Sequence, residues 1–253
     1  IGSYAEKRGF ANELVHRGEM QRGLKGFDPK TGEALSNNAG DERHKPGYDL
    51  TFSAPKSVSI AWASAPDELR DKISEAHQKA LESALKYAEH SGAFIQREGH
   101  AGEFKVPHRE IAAATFEHSN NRACEPHLHT HAVVLNVSEN GKRVDFNAAH
   151  THTIGTAYRA EFARELEKLG FQIEKDGKSF RIEGFPKDLE TQLSTRAAQI
   201  AEREAKKGLK GEKAAEIHQL ATREMKGDKP REVAFKSARE AAEEKGFKTE
   251  SLL

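Results

Sequence analysis

The stretch HLHTHAVVLNVSE, residues 127–139, constrains the fold more than any other part of the chain. Polar and apolar residues alternate through its first half, and Ala132-Val133-Val134-Leu135 then continue it as an apolar, β-branched run. That pattern predicts a strand anchored in a core. Asn140-Gly141 follows, a pair suited to a type I′ turn, and KRVDF at 142–146 reads as the returning hairpin partner. A second hairpin is expected in FQIEKDGKSFRIEGF, 171–185, around Asp176-Gly177. Hairpins return the chain antiparallel, so this sequence does not build βαβ units. FIQREGH at 94–100 and EIAAATFEH at 110–118 read as further strands.

Helical spacing covers PDELRDKISEAHQKALESALKYAEH at 66–90, where Pro66, Asp67 and Glu68 suit a helix start. It recurs in IGTAYRAEFARELEKLG at 154–170, which ends on a glycine C-cap. Tyr48 to Ser53 alternates like a strand and stops before Pro55, and Ser57 to Ala63 opens either a helix or a second short strand. Residues 26–47 are rich in turn formers, and from Pro186 onward the pattern is helical and rich in Lys and Glu. The expected class is α+β: a central antiparallel sheet flanked by helices, with a mostly helical C-terminal part over 186–253.

Composition narrows the function classes. Forty basic and forty acidic side chains cancel, so any nucleic-acid contact must come from local patches, not from the field of the whole chain. One cysteine, Cys124, rules out an internal disulfide framework and fits a reducing, cytoplasmic compartment. No apolar run approaches the roughly 18 residues of a membrane span. The chain opens on Ile1 without a visible signal peptide, and it reads as a single domain, 1–253, of a longer protein.

The histidines carry the chemistry. On a strand His127, His129 and His131 share one face, with neighbours about 7 Å apart. If 110–118 pairs antiparallel with the histidine strand, His118 lands beside His129 and His131. An all-histidine set suits Zn, Mn, Ni or Co and leaves positions open for water or a substrate oxygen. Neutral imidazoles leave the ion its full charge, which suits polarising a phosphate oxygen. Phosphoryl transfer then needs an in-line nucleophile, either water or one of the four tyrosines, Tyr4, Tyr48, Tyr87 and Tyr158.

YDLTFSAPKSVS at 48–59 together with EPHLHTHAVVLNV at 125–137 resembles the conjugative relaxases of the TrwC/TraI (MobF) type, in the HUH endonuclease superfamily. The segment HRGEMQRGLKGFDPKTGEAL and the helix AYRAEFARELEKLGF extend the resemblance over nearly the whole chain. It implies a site- and strand-specific single-stranded DNA endonuclease and strand transferase. Such an enzyme nicks plasmid DNA at an origin of transfer through a metal-assisted tyrosine attack, and forms a 5′-phosphotyrosine adduct. The resemblance implies His118, His129 and His131 as metal ligands, and Asp49 as the carboxylate that orients a ligand histidine and assists the tyrosine. Mg²⁺ or Mn²⁺ is the expected ion, with Zn²⁺, Ni²⁺ or Co²⁺ as alternatives. The C-terminal helices are implied to fold over DNA as a lid.

Two departures stand out. The family usually has glutamine where this chain has His127, which is read as a bystander or a DNA contact. The family's nucleophilic tyrosines cluster near its N-terminus. The nucleophile is accordingly expected upstream of residue 1, with Tyr4 as the fallback within the chain. Lys56 and Arg122 are the other expected DNA contacts. The resemblance also implies a helicase region after Leu253, relaxosome accessory proteins, a type IV secretion system, a monomer, and passage into the recipient cell with DNA. The competing readings are a rolling-circle replication initiator of the same superfamily and a water-activating metal-dependent nuclease.

Overall fold

The computed structural model describes residues 1–195 and 231–253. In chain order the elements that matter here begin with helices α1 (Ser3–Lys7) and α2 (Arg17–Leu24), strand β1 (Gly47–Ser53), and helices α3 (Lys56–Ser64) and α4 (Asp67–His90). Strands β2 (Phe94–Glu98), β3 (Phe104–Pro107), β4 (Ala113–Asn120), β5 (Pro126–Leu135) and β6 (Val144–Phe146) follow. Helix α5 (Thr151–Lys168), the hairpin β7 (Ile173–Asp176) and β8 (Ser179–Ile182), helix α6 (Lys187–Gln192) and a helix at Arg231–Glu244 complete the set. The mixed α+β class is as expected. The expected C-terminal helical part lies partly outside the described residues.

Three sheets form, in the orders β1–β5–β4, β3–β2–β6 and β7–β8. The residues divide into two compact units, each built from three stretches of chain: residues 1–52, 76–117 and 130–165 in the first, and 53–75, 118–129 and 166–253 in the second.

The first unit holds the β3–β2–β6 sheet, antiparallel throughout, with Gln96 opposite Val106 on one side and Val144 on the other. Here the sequence expectation needs correction. Val144–Phe146 pairs with β2 and not with the histidine strand. The cause is Asn136, whose side chain accepts from the Val144 N–H at 2.8 Å and donates to the Val144 carbonyl at 3.0 Å. This side chain satisfies the backbone groups a hairpin partner would have used. The turn also differs from type I′. Gly141 takes φ +68°, but Asn140 does not adopt a positive φ, and type I′ needs both.

Gly47 opens β1 at φ +154°, and a Cβ there would lie 2.1 Å from the Val134 carbonyl oxygen. Glycine is what lets the two backbones approach so closely. Tyr4, Ala5, Leu35, Ala112, Leu135 and Val137 form a buried cluster in this unit, with Phe10, Met20 and Leu24 packed against it.

In the second unit α3 is an unusually apolar helix, buried from Ser57 through Ala63. It packs against the Arg231–Glu244 helix and β8. Trp62 meets Phe235 edge to face at 4.9 Å, and its indole N–H donates to Ser74 at 2.8 Å. Buried Arg181 on β8 donates to Glu174, to Glu190 and to the Phe185 carbonyl, each at 2.6 Å. Its five donors are what allow a guanidinium to be buried there. The expected hairpin around Gly177 is present, with Ile173 opposite Ile182.

Candidate metal and DNA site

Strand β5 carries the site because its alternation is strict. Pro126, Leu128, Thr130, Ala132 and Val134 are buried, while His127, His129, His131 and Val133 are only half-buried. The three histidines therefore share one face, as the sequence predicts.

Within the first unit, His131 faces β1. Its Nδ1 donates to the Asp49 carboxylate, at 2.8 Å to Oδ2 and 3.0 Å to Oδ1, and the Thr51 hydroxyl lies 3.2 Å away. The side chains of His131 and Asp49 are 33% and 52% exposed, so solvent and ligands reach them. A proton held on Nδ1 places the imidazole lone pair on Nε2, the nitrogen that can ligate an ion. A carboxylate behind a histidine is the usual partner arrangement of metal-bound imidazoles. On β1 Asp49, Thr51 and Ser53 are exposed and Phe52 is buried, so strand alternation presents the carboxylate and the hydroxyl together.

Within the second unit, His129 is flanked by two other imidazoles. His118 on β4 stacks on it at 5.2 Å between ring centroids, and His127 lies 4.5 Å away. The His129 Nδ1 also donates to the His127 carbonyl at 2.8 Å. The donor types suit a borderline divalent ion. Among the described residues, no three His, Cys, Asp or Glu side chains are gathered into one group that could hold a metal. The structure shows the two partial arrangements: His131 with Asp49, and His118 with His127 and His129.

The S-A-P-K-S-V-S block explains how β5 is held. The Ala54 N–H donates to the Leu128 carbonyl at 2.9 Å, and the Ser59 hydroxyl accepts from the Leu128 N–H at 3.2 Å. Ser57 accepts from the Ile182 N–H at 3.2 Å. Buried helical serines thus satisfy strand backbone that the sheets leave over. Leu128 is clamped on both of its peptide groups, between His127 and His129.

The other expected site residues fall as follows. Lys56 is mostly buried, donates to the Pro126 carbonyl at 3.0 Å and lies 3.9 Å from Glu125. Burial lowers its pKa, opposed by the nearby carboxylates of Glu125 and Glu190. Its ammonium therefore ties down the first residue of β5. Arg122 is half-buried in the loop between β4 and β5, where Asn121 caps the turn through bonds to the Ala123 and Glu125 N–H groups. Tyr4 is 1% exposed in the apolar cluster, and burial raises its pKa. A nucleophilic phenol needs the opposite on both counts.

His77 and Tyr158, which read from sequence as packing and helix residues, meet Thr130 in the core. In the first unit His77 is fully buried on α4, 2.7 Å from the Tyr158 hydroxyl through Nδ1 and 2.8 Å from the Thr130 hydroxyl through Nε2. The available signal was a histidine set among Ile73, Ala76, Ala80 and Leu81 on the apolar face of α4, all buried.

The chain belongs to the TrwC relaxase family, whose model matches residues 1–245. It is 32% identical over 192 residues, 70% of its length, to the multifunctional conjugation protein TraI of Escherichia coli K12. A second Escherichia coli TraI is 29% identical over 97% of the chain. The chain spans 11% and 14% of those two relatives. Among solved structures it superimposes on the conjugative relaxase TrwC with copper and oriT DNA at a TM-score of 0.82 and 28% identity, covering 98% of this chain and 87% of that one. A TrwC complex with a 27-mer DNA comprising the recognition hairpin and cleavage site gives 0.83, at 28% identity and with 91% of that chain covered. A metal-free TrwC complex with oriT DNA matches equally, at 0.82 and 28% identity over 98% of this chain and 89% of that one. No described helix is long and apolar enough to cross a membrane.

Proposed function

We propose that this chain is the DNA-nicking and strand-transfer domain of a conjugation protein, acting on single-stranded or hairpin DNA at an origin of transfer. The observation that carries this reading is the His131–Asp49 pair on the histidine strand of a relaxase-family chain. His118, His129 and His131 would hold a divalent ion, and it would polarise the scissile phosphate and offset the charge that develops there. Asp49 keeps the His131 proton on Nδ1 and the ring in one orientation. Arg122, in the loop before β5, and His127, on β5, would contact the DNA, and Lys56 secures the start of that strand. The nucleophile of this reading is a tyrosine, and burial disfavours Tyr4 and Tyr158 for that role. A phosphotyrosine at the 5′ end and a free 3′-OH are the products of its attack. Accessory proteins, a secretion channel and a cytoplasmic setting in the donor cell follow from the same reading.

The test is incubation with labelled single-stranded oligonucleotides carrying candidate transfer origins, with Mn²⁺, read on a denaturing gel. Residues 1–253 should bind DNA and form no adduct, and a chain extended N-terminally should form a metal-dependent one. Cleavage without an adduct in both would replace the tyrosine mechanism with water activation.

A further inference from the structure

We propose that the buried His77–Tyr158 pair is a positioning device that sets the aim of His131 and Asp49 from the opposite face of the sheet. The proposal rests on the reading of His131 as a metal ligand.

His77 on α4 bridges two hydroxyls, Tyr158 on α5 and Thr130 on β5. Thr130 is the immediate neighbour of His131, and successive strand side chains point to opposite faces. A bond that pulls on Thr130 from behind therefore fixes the backbone from which His131 projects in front. Tyr158 reaches the second strand as well. Its ring packs on Phe52 of β1 at 5.4 Å, and on Phe162 at 5.6 Å. Phe52 follows Thr51, which lies 3.2 Å from His131. One buried cluster thus touches both strands whose opposite faces carry the carboxylate–imidazole pair.

An ordinary core would not need these polar atoms. His77 has no exposed surface, Thr130 is 1% exposed and Tyr158 is 2% exposed. Apolar residues of the same shape would avoid the cost of desolvating two hydroxyls and an imidazole. A fully satisfied buried polar chain adds direction, because hydrogen bonds fix angle and register where apolar contacts leave slack. In either tautomer one imidazole nitrogen donates and the other accepts, so both ring nitrogens are paired, one with Tyr158 and one with Thr130.

The experiment compares Thr130→Val, which removes the hydroxyl and keeps the shape, with Thr130→Ser, which keeps the hydroxyl and loses a methyl. Each is titrated with Mn²⁺ by calorimetry, and its metal-free melting temperature is recorded. Loss of orientation should weaken Mn²⁺ binding about tenfold in Thr130→Val, the scale seen when a partner behind a metal ligand is removed. Thr130→Ser should bind as the natural protein does. Equal affinity in both variants, or weakening only in Thr130→Ser, overturns the proposal. If Thr130→Val does not fold, the triple variant His77→Phe, Thr130→Val, Tyr158→Phe replaces it, since it leaves no member of the chain unpaired. Wild-type affinity in that folded triple variant overturns the proposal equally. His131→Ala separates the two layers. Undiminished Mn²⁺ binding in His131→Ala removes the ligand reading itself, whereas loss there beside unchanged Thr130→Val removes only the positioning role.

Discussion

Asp49 and His131 lie 82 residues apart in the chain, and their side chains meet at 2.8 Å. Their strands are neighbours in one sheet, so the carboxylate stands behind the imidazole on an accessible face. Asp49→Asn keeps the shape and removes the charge that holds the Nδ1 proton. Mn²⁺ affinity should then fall about 10- to 100-fold, the range for a lost hydrogen-bond partner of a ligand histidine. Calorimetric titration of the folded variant reads this directly, and unchanged affinity would detach Asp49 from the metal.

The two cationic candidates should separate by salt dependence. Arg122→Ala should weaken binding to an oligonucleotide and reduce the slope of log affinity against log salt by about 0.7, the loss of one single-strand phosphate contact. Lys56→Met should leave that slope unchanged and lower thermal stability, because its ammonium serves the Pro126 carbonyl. Fluorescence anisotropy at several salt concentrations, paired with melting curves, distinguishes them. A reduced slope for Lys56→Met would return it to the DNA contacts.

Tyr4 should behave as a core residue. Tyr4→Ala removes a ring that is 1% exposed and should cost on the order of 3–5 kcal/mol, read by denaturant unfolding. Tyr4→Phe should leave adduct formation in an N-terminally extended chain at its natural rate. Abolition of the adduct by Tyr4→Phe would make Tyr4 the nucleophile after all.

Buried His44 and half-buried His108 should make folding sensitive to mild acid. Burial lowers the pKa of His44 and of His108 below the usual 6.5, although for His108 a backbone hydrogen bond at Glu110, and then the carboxylates of Glu110 and Glu89, oppose it. Lowered folded values mean that the unfolded chain takes up these protons first. The stability contribution is therefore complete above about pH 6.5 and is lost as pH falls from there through the folded values. Urea midpoints should decline over that window, and His44→Gln should flatten the decline. A flat profile in the natural protein would show that neither group is coupled to folding.

Much of the candidate site was legible in one dimension. The period-2 pattern of residues 127–131 fixes that three histidines share a face, and the actual strand keeps that alternation. The D-L-T-F-S-A-P-K-S-V-S block pointed to Asp49, and the two long helices and the Gly177 hairpin follow from local periodicity and turn chemistry. These are short-range properties, decided by residues within a few positions of each other.

What local pattern could not decide is which distant groups meet. KRVDF has the look of a hairpin partner, yet it pairs with β2, because the Asn136 side chain takes up the Val144 backbone groups and the strand finds its ladder elsewhere. His77 reads as a packing residue until folding brings it to Thr130, 53 residues on, and Tyr158, 81 residues on. Tyr4 reads as a terminal residue on a flexible segment until its N–H bonds to the Ile111 carbonyl and the apolar cluster closes over its ring. Local pattern carried the two long helices, the histidine strand with its face, and the chemical vocabulary of the site. The tertiary structure alone decided which carboxylate backs which imidazole and which phenol is buried, because those depend on contacts whose loop-closure cost only the assembled core offsets.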